Sequence, residues 1–123
     1  MAQESKQDSQ QGAGTVILIA KDTFGSGDEE FGKTLLNLFL QTTFKSSVRP
    51  RAILLANSGV RLLAKNSQAL QVLNGFKSEG CEVLACGLCV DYYKLNEEIP
   101  KEQIINLPAI CEYLFSASKV LQP

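Results

Sequence analysis

Histidine is absent from this sequence of 123 residues. Its absence excludes Cys-His and Ser-His catalytic pairs, histidine-ligated metal sites and the side chain that most often acts as a general acid or base near neutral pH. Any chemistry must therefore use thiols, carboxylates, lysines, hydroxyls or backbone amides. Four cysteines are present, so thiol chemistry remains open.

Long apolar runs and basic clusters are also missing. The longest apolar runs span five or six residues, whereas a membrane-spanning helix needs roughly 20. The first 12 residues are polar and lack the apolar core of a secretory signal. The net charge is −1, and the one basic cluster is the broken "RPR" at residues 49–51. We therefore expect a cytoplasmic protein that binds neither membranes nor nucleic acid.

The polar N-terminal segment separates from the rest of the chain by composition. Residues 1–14 are rich in Gln, Ser and Gly, and we interpret them as a disordered tail or the stub of a linker. Residues 15–123 have the length of one domain of common size, which needs no disulfide to be stable. Cysteines in the expected compartment are reduced thiols, and a disulfide there would be transient.

Short apolar runs predict the strands of the domain. Three runs without polar alternation are typical of strands buried on both faces of a parallel sheet, and two weaker runs follow. The three runs are residues 15–20, 52–56 and 82–86, and the weaker ones are 103–105 and 119–121. Helical patterns lie between them, which predicts an α/β fold: a three-layer α/β/α sandwich with a mostly parallel sheet of about five strands.

Two helical patterns carry specific expectations about burial. In the first helix, one apolar face is expected to be buried, and its members are Phe31, Leu35, Leu38, Phe39 and Thr42. In the last helix, Cys111 falls on the apolar face, and Cys81 opens the third strong strand. For both cysteines we favour a role as small core residues.

Ligands of open parallel α/β sheets bind beyond the carboxyl ends of the strands. That rule selects three loops, at residues 21–34, 57–63 and 86–89. In the second loop, Asn57 and Gly59 suit a turn that needs a positive φ, and Arg61 is either a solvated charge or an anion contact.

The first loop contains a match to the phosphate-binding P-loop pattern, "GDEEFGKT" at residues 27–34. Three acidic residues, Asp28, Glu29 and Glu30, oppose a phosphate in that turn. We therefore favour an ordinary turn followed by a helix that starts near Asp28. A true P-loop would place the helix start near Gly32.

The third loop, "CGLC", contains Cys86 at the end of a strand and Cys89 one helical turn later. Such a pair fits a nucleophile activated by helix amides near residues 88–90, a thiol oxidoreductase, half of a zinc site, or two small core residues. A four-thiolate zinc site within one chain is disfavoured because Cys81 lies a whole strand away from Cys86. We expect no metal and no cofactor, with Cys86 and Cys89 as the catalytic candidates.

Four ordered motifs give a resemblance to a known family. They are "GSGDEEFG", "ANSGVRLL", "GCEVLACGLCVDYYKL" and "ASKVLQP". Together they resemble the DsrE/DsrF-like sulfur-relay family over about residues 15–123 and, within it, the C-terminal domain of the YedF-type proteins associated with selenium metabolism.

The resemblance implies a function for the third loop. It implies a five-stranded parallel α/β sandwich, assembly into a homo-oligomer (dimer, trimer or hexamer), and a Cys86 persulfide that carries sulfane sulfur between donor and acceptor proteins, with TusA-like proteins among the candidates. A link to selenium metabolism is implied by association. A cleft between the loops would admit a partner's sulfur-bearing tail, and its expected lining is Gly25, Gly27, Asn57, Gly59 and Gly87. The alternatives are a non-catalytic module that binds a protein or an anion, and a dithiol oxidoreductase that uses Cys86 and Cys89.

Overall fold

A computed structural model describes residues 12–123 of the chain. All five strands run parallel in one sheet, in the order β4-β3-β2-β1-β5. The strands are β1 (Thr15–Ile19), β2 (Ala52–Leu55), β3 (Glu82–Cys86), β4 (Ile104–Ile105) and β5 (Lys119–Leu121). The parallel α/β fold expected from the sequence is confirmed, and both weak strand candidates form edge strands.

Four α-helices and two short 3₁₀ helices connect the strands. The α-helices are α1 (Glu29–Lys45), α2 (Leu70–Ser78), α3 (Gly87–Tyr92) and α4 (Leu107–Ser116), and the 3₁₀ helices are Asn57–Leu63 and Lys101–Gln103. The side chain of Asn106 caps α4 by accepting a hydrogen bond from the Ala109 N–H at 2.9 Å. Among residues 12–123, no helix has the length and apolar character required to cross a membrane.

The start of α1 decides between the two interpretations of "GDEEFGKT". The helix begins at Glu29, and Asp28 caps it by accepting a hydrogen bond from the Phe31 N–H at 2.8 Å. Gly32 lies inside the helix against Thr23, so no phosphate-binding loop precedes a helix start at that position. The turn-and-helix interpretation is confirmed, and the P-loop alternative is wrong.

The strand order explains how the helices are distributed over the two faces of the sheet. Steps from β1 to β4 all move in one direction, and the step from β4 to β5 returns across the sheet. Because parallel crossovers are right-handed, α1, α2 and α3 lie on one face and α4 alone covers the other. Two buried clusters match this division. The first contains Leu36, Leu73 and Val90 from the three helices, and the second contains Ile110 from α4.

The apolar face predicted for α1 is not the one that packs on the sheet. Its buried residues are Gly32, Leu36 and Leu40, whereas Phe31 and Leu38 are 61% and 50% exposed. Apolar residues surround much of this helix, so its pattern fits more than one face. The position of the sheet selects between them.

Packing on the α4 face also differs from expectation for one cysteine. Cys111 is exposed, which contradicts its predicted place in the core, while Phe115 in the same helix is 90% exposed. A single helix over this face leaves part of its own apolar surface uncovered. Cys81 is 4% exposed and packs in the core of the opposite face, as predicted.

The predicted N-terminal tail lies outside the described residues except for residues 12–14. These three form a turn in which the Thr15 N–H donates to the Gly12 carbonyl at 2.8 Å. The Gly14 carbonyl accepts a hydrogen bond from the Ser118 N–H at 2.9 Å. This part of the predicted tail is therefore joined to the residue that precedes β5.

Candidate functional site

The loops that follow β1, β2 and β3 meet at the carboxyl edge of the sheet. The Asp22 N–H donates to Ser58 Oγ at 3.2 Å, which joins the first loop to the second. The Asn57 N–H donates to Cys89 Sγ at 3.0 Å, which joins the second loop to α3. The second of the three loops selected from the sequence therefore contacts both of the others.

Asn57 and Gly59 occupy the second loop for different reasons. Asn57 has a φ of 49°, in the left-handed region that asparagine tolerates, as predicted. Gly59 has no positive φ, so that part of the prediction is wrong. A Cβ at Gly59 would lie 2.1 Å from the Ile19 carbonyl oxygen. Glycine here permits close contact between the loop and the end of β1.

The two thiols of "CGLC" lie side by side at the end of β3 but differ in exposure. Cys86 is 2% exposed and packs in the cluster beneath α4. Cys89 is half-buried and also contacts that cluster. A donor or acceptor approaching from solvent therefore meets Cys89 before Cys86.

The surroundings of the pair change the pKa of the Cys89 thiol. Burial raises the pKa of the Cys89 thiol, and a hydrogen bond to the Cys86 side chain raises it further. The Asn57 N–H opposes both by stabilising the Cys89 thiolate. The Asn57 N–H is the hydrogen-bond donor to Cys89 Sγ, and Cys86 is the thiol beside it.

The helix amides proposed to activate Cys86 do not bond its side chain. Cys86 is the residue before α3, and its side chain makes no capping hydrogen bond to that helix. Its neighbouring thiol is Cys89, which contacts the same buried cluster.

Tyr93 and Arg61 extend the site beyond the residues nominated from the sequence. The Tyr93 hydroxyl donates to Asn57 Oδ1 at 3.1 Å. The Arg61 guanidinium lies 4.6 Å from the centre of the Tyr93 ring and 3.6 Å from the Asp22 carboxylate. Arg61 is therefore held by Asp22 and Tyr93. The spacing of four residues from Cys89 could have placed Tyr93 on the same helical side as that thiol, but not beside Asn57.

The glycines of the predicted cleft are not all brought together. Gly25 and Gly27 have φ values of 67° and 152° and line a cavity of about 280 Å³ that includes Ser58. Neither thiol is among the residues that line this cavity. Gly87 begins α3, and a Cβ there would contact the Ile105 carbonyl oxygen at 3.4 Å, beside β4.

Acidic residues and thiols do not cluster into a metal site in the described part of the chain. Within residues 12–123, no group of three or more such side chains is placed to hold an ion. The four cysteines are free thiols, and two of them, Cys86 and Cys89, are neighbours at this site.

Comparisons with known proteins identify the fold. The sequence matches no protein-family model and no curated protein. Three solved structures share 16% identity with it and align over 89% of its length. They are the ychN protein from E. coli (TM-score 0.60, 98% of that chain), MTH1491 of unknown function from Methanobacterium thermoautotrophicum (0.62, 97%) and BT1422, a conserved protein of unknown function from Bacteroides thetaiotaomicron (0.60, 94%). Similarity at this level shows a common fold, of the DsrE-like type.

Proposed function

We propose that this protein is a sulfur carrier whose Cys86/Cys89 pair accepts sulfane sulfur from a persulfide and passes it to an acceptor thiol. One observation carries the proposal: two neighbouring thiols lie where the loops of a parallel sheet converge, and a backbone N–H donates a hydrogen bond to one of them. Ligand sites of parallel α/β folds occupy this edge. The resemblance to sulfur-relay proteins supports the same position.

Sulfur transfer consists of displacements at sulfur. A protein thiolate attacks the outer sulfur of a donor persulfide, R–S–SH, and a bond forms between these two sulfurs. The donor S–S bond breaks, and its electron pair leaves on R–S⁻, which takes up the proton of the attacking thiol. An acceptor thiolate then attacks the outer sulfur of the protein persulfide, and the protein thiolate leaves. Both steps are redox-neutral and need no histidine.

The difference in burial assigns separate roles to the two thiols. Cys89 receives sulfur first because it is the more exposed thiol, and the Asn57 N–H stabilises its thiolate. Cys86 then attacks the outer sulfur on Cys89, so that the Cys86 persulfide forms and Cys89 leaves as a thiolate. A persulfide on the buried Cys86 is shielded from thiols in solution. The Cys86 carrier nominated from the sequence is retained, with Cys89 as its required partner.

Intact-mass measurement after brief exposure to a small-molecule persulfide tests this function. Wild type is expected to gain one sulfur atom, and the Cys86→Ser/Cys89→Ser variant is expected to gain at least tenfold less. The matched control is Cys81→Ser/Cys111→Ser, which keeps the pair and should load like wild type. Equal loading of wild type and the pair-less variant would overturn the proposal.

The single variants test the roles. Cys89→Ser should load at least tenfold more slowly, because the remaining thiol is buried. Cys86→Ser should load normally but lose its sulfur faster to added thiol. Loading of Cys89→Ser at the wild-type rate would contradict the assignment of Cys89 as first acceptor.

The adjacency of the thiols also favours dithiol–disulfide exchange as a second candidate function. In that case Cys86 and Cys89 would form a disulfide, with electrons passing to a partner disulfide. Turnover by a thiol reductase, without any stable sulfur adduct, would support this function over sulfur transfer. Ordinary alkylation rates at both thiols would favour a non-catalytic binding module.

The incompletely covered α4 face supports self-association. Three apolar side chains of this part of the chain are exposed: Leu107, Phe115 and Val120. Exposed apolar side chains on one face of a fold are a feature of interaction sites. Light scattering should give a mass above that of a 13.4 kDa monomer, and Phe115→Glu should reduce it. A monomeric wild-type protein at all concentrations would exclude a homo-oligomer.

A further inference from the structure

A second polar centre, which includes Arg61 but not Tyr93, surrounds a cavity of about 480 Å³. The cavity lies between α1 and the segment that joins β2 to α2. Small-molecule sites have volumes of roughly 300–1,000 Å³, so its size suits a small metabolite. Neither Cys86 nor Cys89 lines it.

One wall of the cavity is a polar stripe along α1. Glu30, Lys33, Thr34 and Asn37 all line it. Their spacing of three, four and seven residues places them on one side of the helix. The opposite wall contains Arg61 from the end of the first 3₁₀ helix and Gln68 from the loop before α2. The cavity therefore presents two cationic and, with Asp22, two acidic side chains.

Two acceptor groups among the residues that line the cavity have few hydrogen-bond or ion-pair partners. The Asp22 side chain is only 14% exposed, and its ion-pair partner among the described residues is Arg61, at a loose 3.6 Å. Asn37 Oδ1 is buried and has no hydrogen-bond partner among the described residues. Buried acceptors without donors are uncommon because each costs about 1–3 kcal/mol. The Asp22 carboxylate is partly accessible and loosely paired, so it can accept a further hydrogen bond from an ammonium or amide N–H.

The two cations that line the cavity, Lys33 and Arg61, make only weak ion pairs with neighbouring residues. Lys33 lies 3.7 Å from Glu29 in an exposed pair, and exposed pairs of this kind are weak. Arg61 has a half-exposed side chain that makes one loose ion pair. An arginine has five N–H groups, and two of them together can bind a carboxylate in a bidentate manner. The cavity can thus bind a carboxylate near Arg61 and Lys33 while an ammonium binds near Asp22.

We propose that this cavity is a binding site for a small zwitterion of the α-amino-acid type. The ligand ammonium contacts Asp22, and its carboxylate contacts Arg61 and Lys33. Asn37 lines the same cavity and supplies its side-chain amide to the polar wall. This site is separate from the thiol pair and does not depend on sulfur transfer.

Two-dimensional ¹H–¹⁵N NMR of the full chain, titrated with a panel of the common L-α-amino acids, tests the proposal. At least one amino acid should give saturable shifts at Asn37, Arg61 and their neighbours. The N-acetyl and carboxamide derivatives of that amino acid each lack one charge and should bind at least tenfold more weakly. No response to any amino acid at millimolar concentration, or equal binding of the derivatives, would overturn the proposal.

Variants of the unpartnered groups provide the second part of the test. Asp22→Asn should weaken binding at least tenfold, because it removes the charge that faces the ammonium. Asn37→Leu should weaken binding while leaving the thermal midpoint unchanged or higher, since it removes an unsatisfied acceptor. Asn74→Leu is the matched control, because Asn74 is an exposed residue of α2 outside the cavity. Wild-type affinity in both cavity variants would contradict the site.

Discussion

The two ends of β3 each hold a buried cysteine, and their surroundings differ. Cys81, just before the strand, is 4% exposed, and Cys86, at its end, is 2% exposed. Side chains alternate along a strand, so Cys81 packs with the α1 and α2 layer and Cys86 with the α4 layer. Cys81 donates a long 3.9 Å hydrogen bond to the Glu82 carbonyl, whereas Cys86 lies beside a second thiol. Burial alone therefore does not distinguish Cys81 from Cys86, the thiol proposed to carry sulfur; their positions along the strand and their neighbours do.

The largest effect is expected from a change that moves the loops at the carboxyl end. Gly59→Ala would force a Cβ against the Ile19 carbonyl oxygen. Overpacking of this kind costs about 1–3 kcal/mol, and we expect the upper part of that range in the free energy of unfolding from urea titration. Gly87→Ala is the control, because its Cβ meets atoms no nearer than 3.4 Å. Equal stability of the two variants would show that the loop contact does not matter.

Alkylation rates compare the thiols directly. Cys111 is exposed and serves as an internal reference for an unhindered thiol. Burial raises the pKa of Cys81 to about 12, so this thiol should react at least about 100-fold more slowly than Cys111. Cys89 should react within about tenfold of the reference. Time-resolved peptide mass spectrometry measures all rates in one sample. Comparable alkylation rates at Cys81 and Cys89 would show that thiols at the two ends of β3 do not differ in reactivity.

The raised pKa of Cys81 also predicts a dependence of stability on pH. The pKa lies at 9.0 when the thiol is unperturbed and at about 12 in the folded protein. Above pH 9 the unfolded thiol loses its proton while the folded thiol keeps it, so stability falls as pH rises through this window. At pH 10 the loss is about 1 kcal/mol.

Cys81→Ala isolates that contribution. The variant should lose less stability than wild type between pH 8 and pH 10, because other groups that titrate there are common to both proteins. Tyr113, whose pKa is raised to about 12 by burial and by its hydrogen bond to Glu82, is one of them. Identical pH profiles from chemical denaturation would show that Cys81 is not protected from ionisation.

The smallest effect is expected from the outermost contact of the site. Tyr93→Phe removes the hydrogen bond to Asn57 Oδ1 and leaves the ring beneath Arg61. A hydrogen bond of this kind contributes about 0.5–1.5 kcal/mol. We expect sulfur loading to slow about two- to tenfold in the persulfide assay, with Tyr92→Phe, an exposed neighbour, unchanged. An unaffected loading rate would place Tyr93 outside the functional network.

Much of the fold could be predicted because its determinants are local. Three unalternated apolar runs predicted β1, β2 and β3, and two weaker runs predicted the edge strands β4 and β5. The rule for parallel sheets selected loops 21–34, 57–63 and 86–89 at one edge. The wrong face of α1 and the misplaced Cys111 share one cause. Each helix has apolar residues on more than one side, and the sheet order decides which side packs.

The site was predictable in position but not in detail. Spacing brought Cys86 and Cys89 together, and the alternation of β3 could have placed Cys86 on the buried side. The contact of Asn57 with Cys89 joins residues 32 positions apart, and no pattern in one sequence reports such a pairing. The same holds for Gly59. A side chain is excluded there because a Cβ would clash with the Ile19 carbonyl oxygen of β1.

Mapping the sulfur adduct in wild-type protein tests the central claim most directly, because all four thiols compete in one molecule. Cleavage after Glu82 separates Cys81 from the fragment that carries Cys86 and Cys89. We predict that, after brief exposure to a small-molecule persulfide, the added sulfur is found on that fragment, at Cys89 early and at Cys86 later. Sulfur found chiefly on Cys81 or Cys111, or spread evenly over all four thiols, would contradict a sulfur carrier built on the Cys86/Cys89 pair.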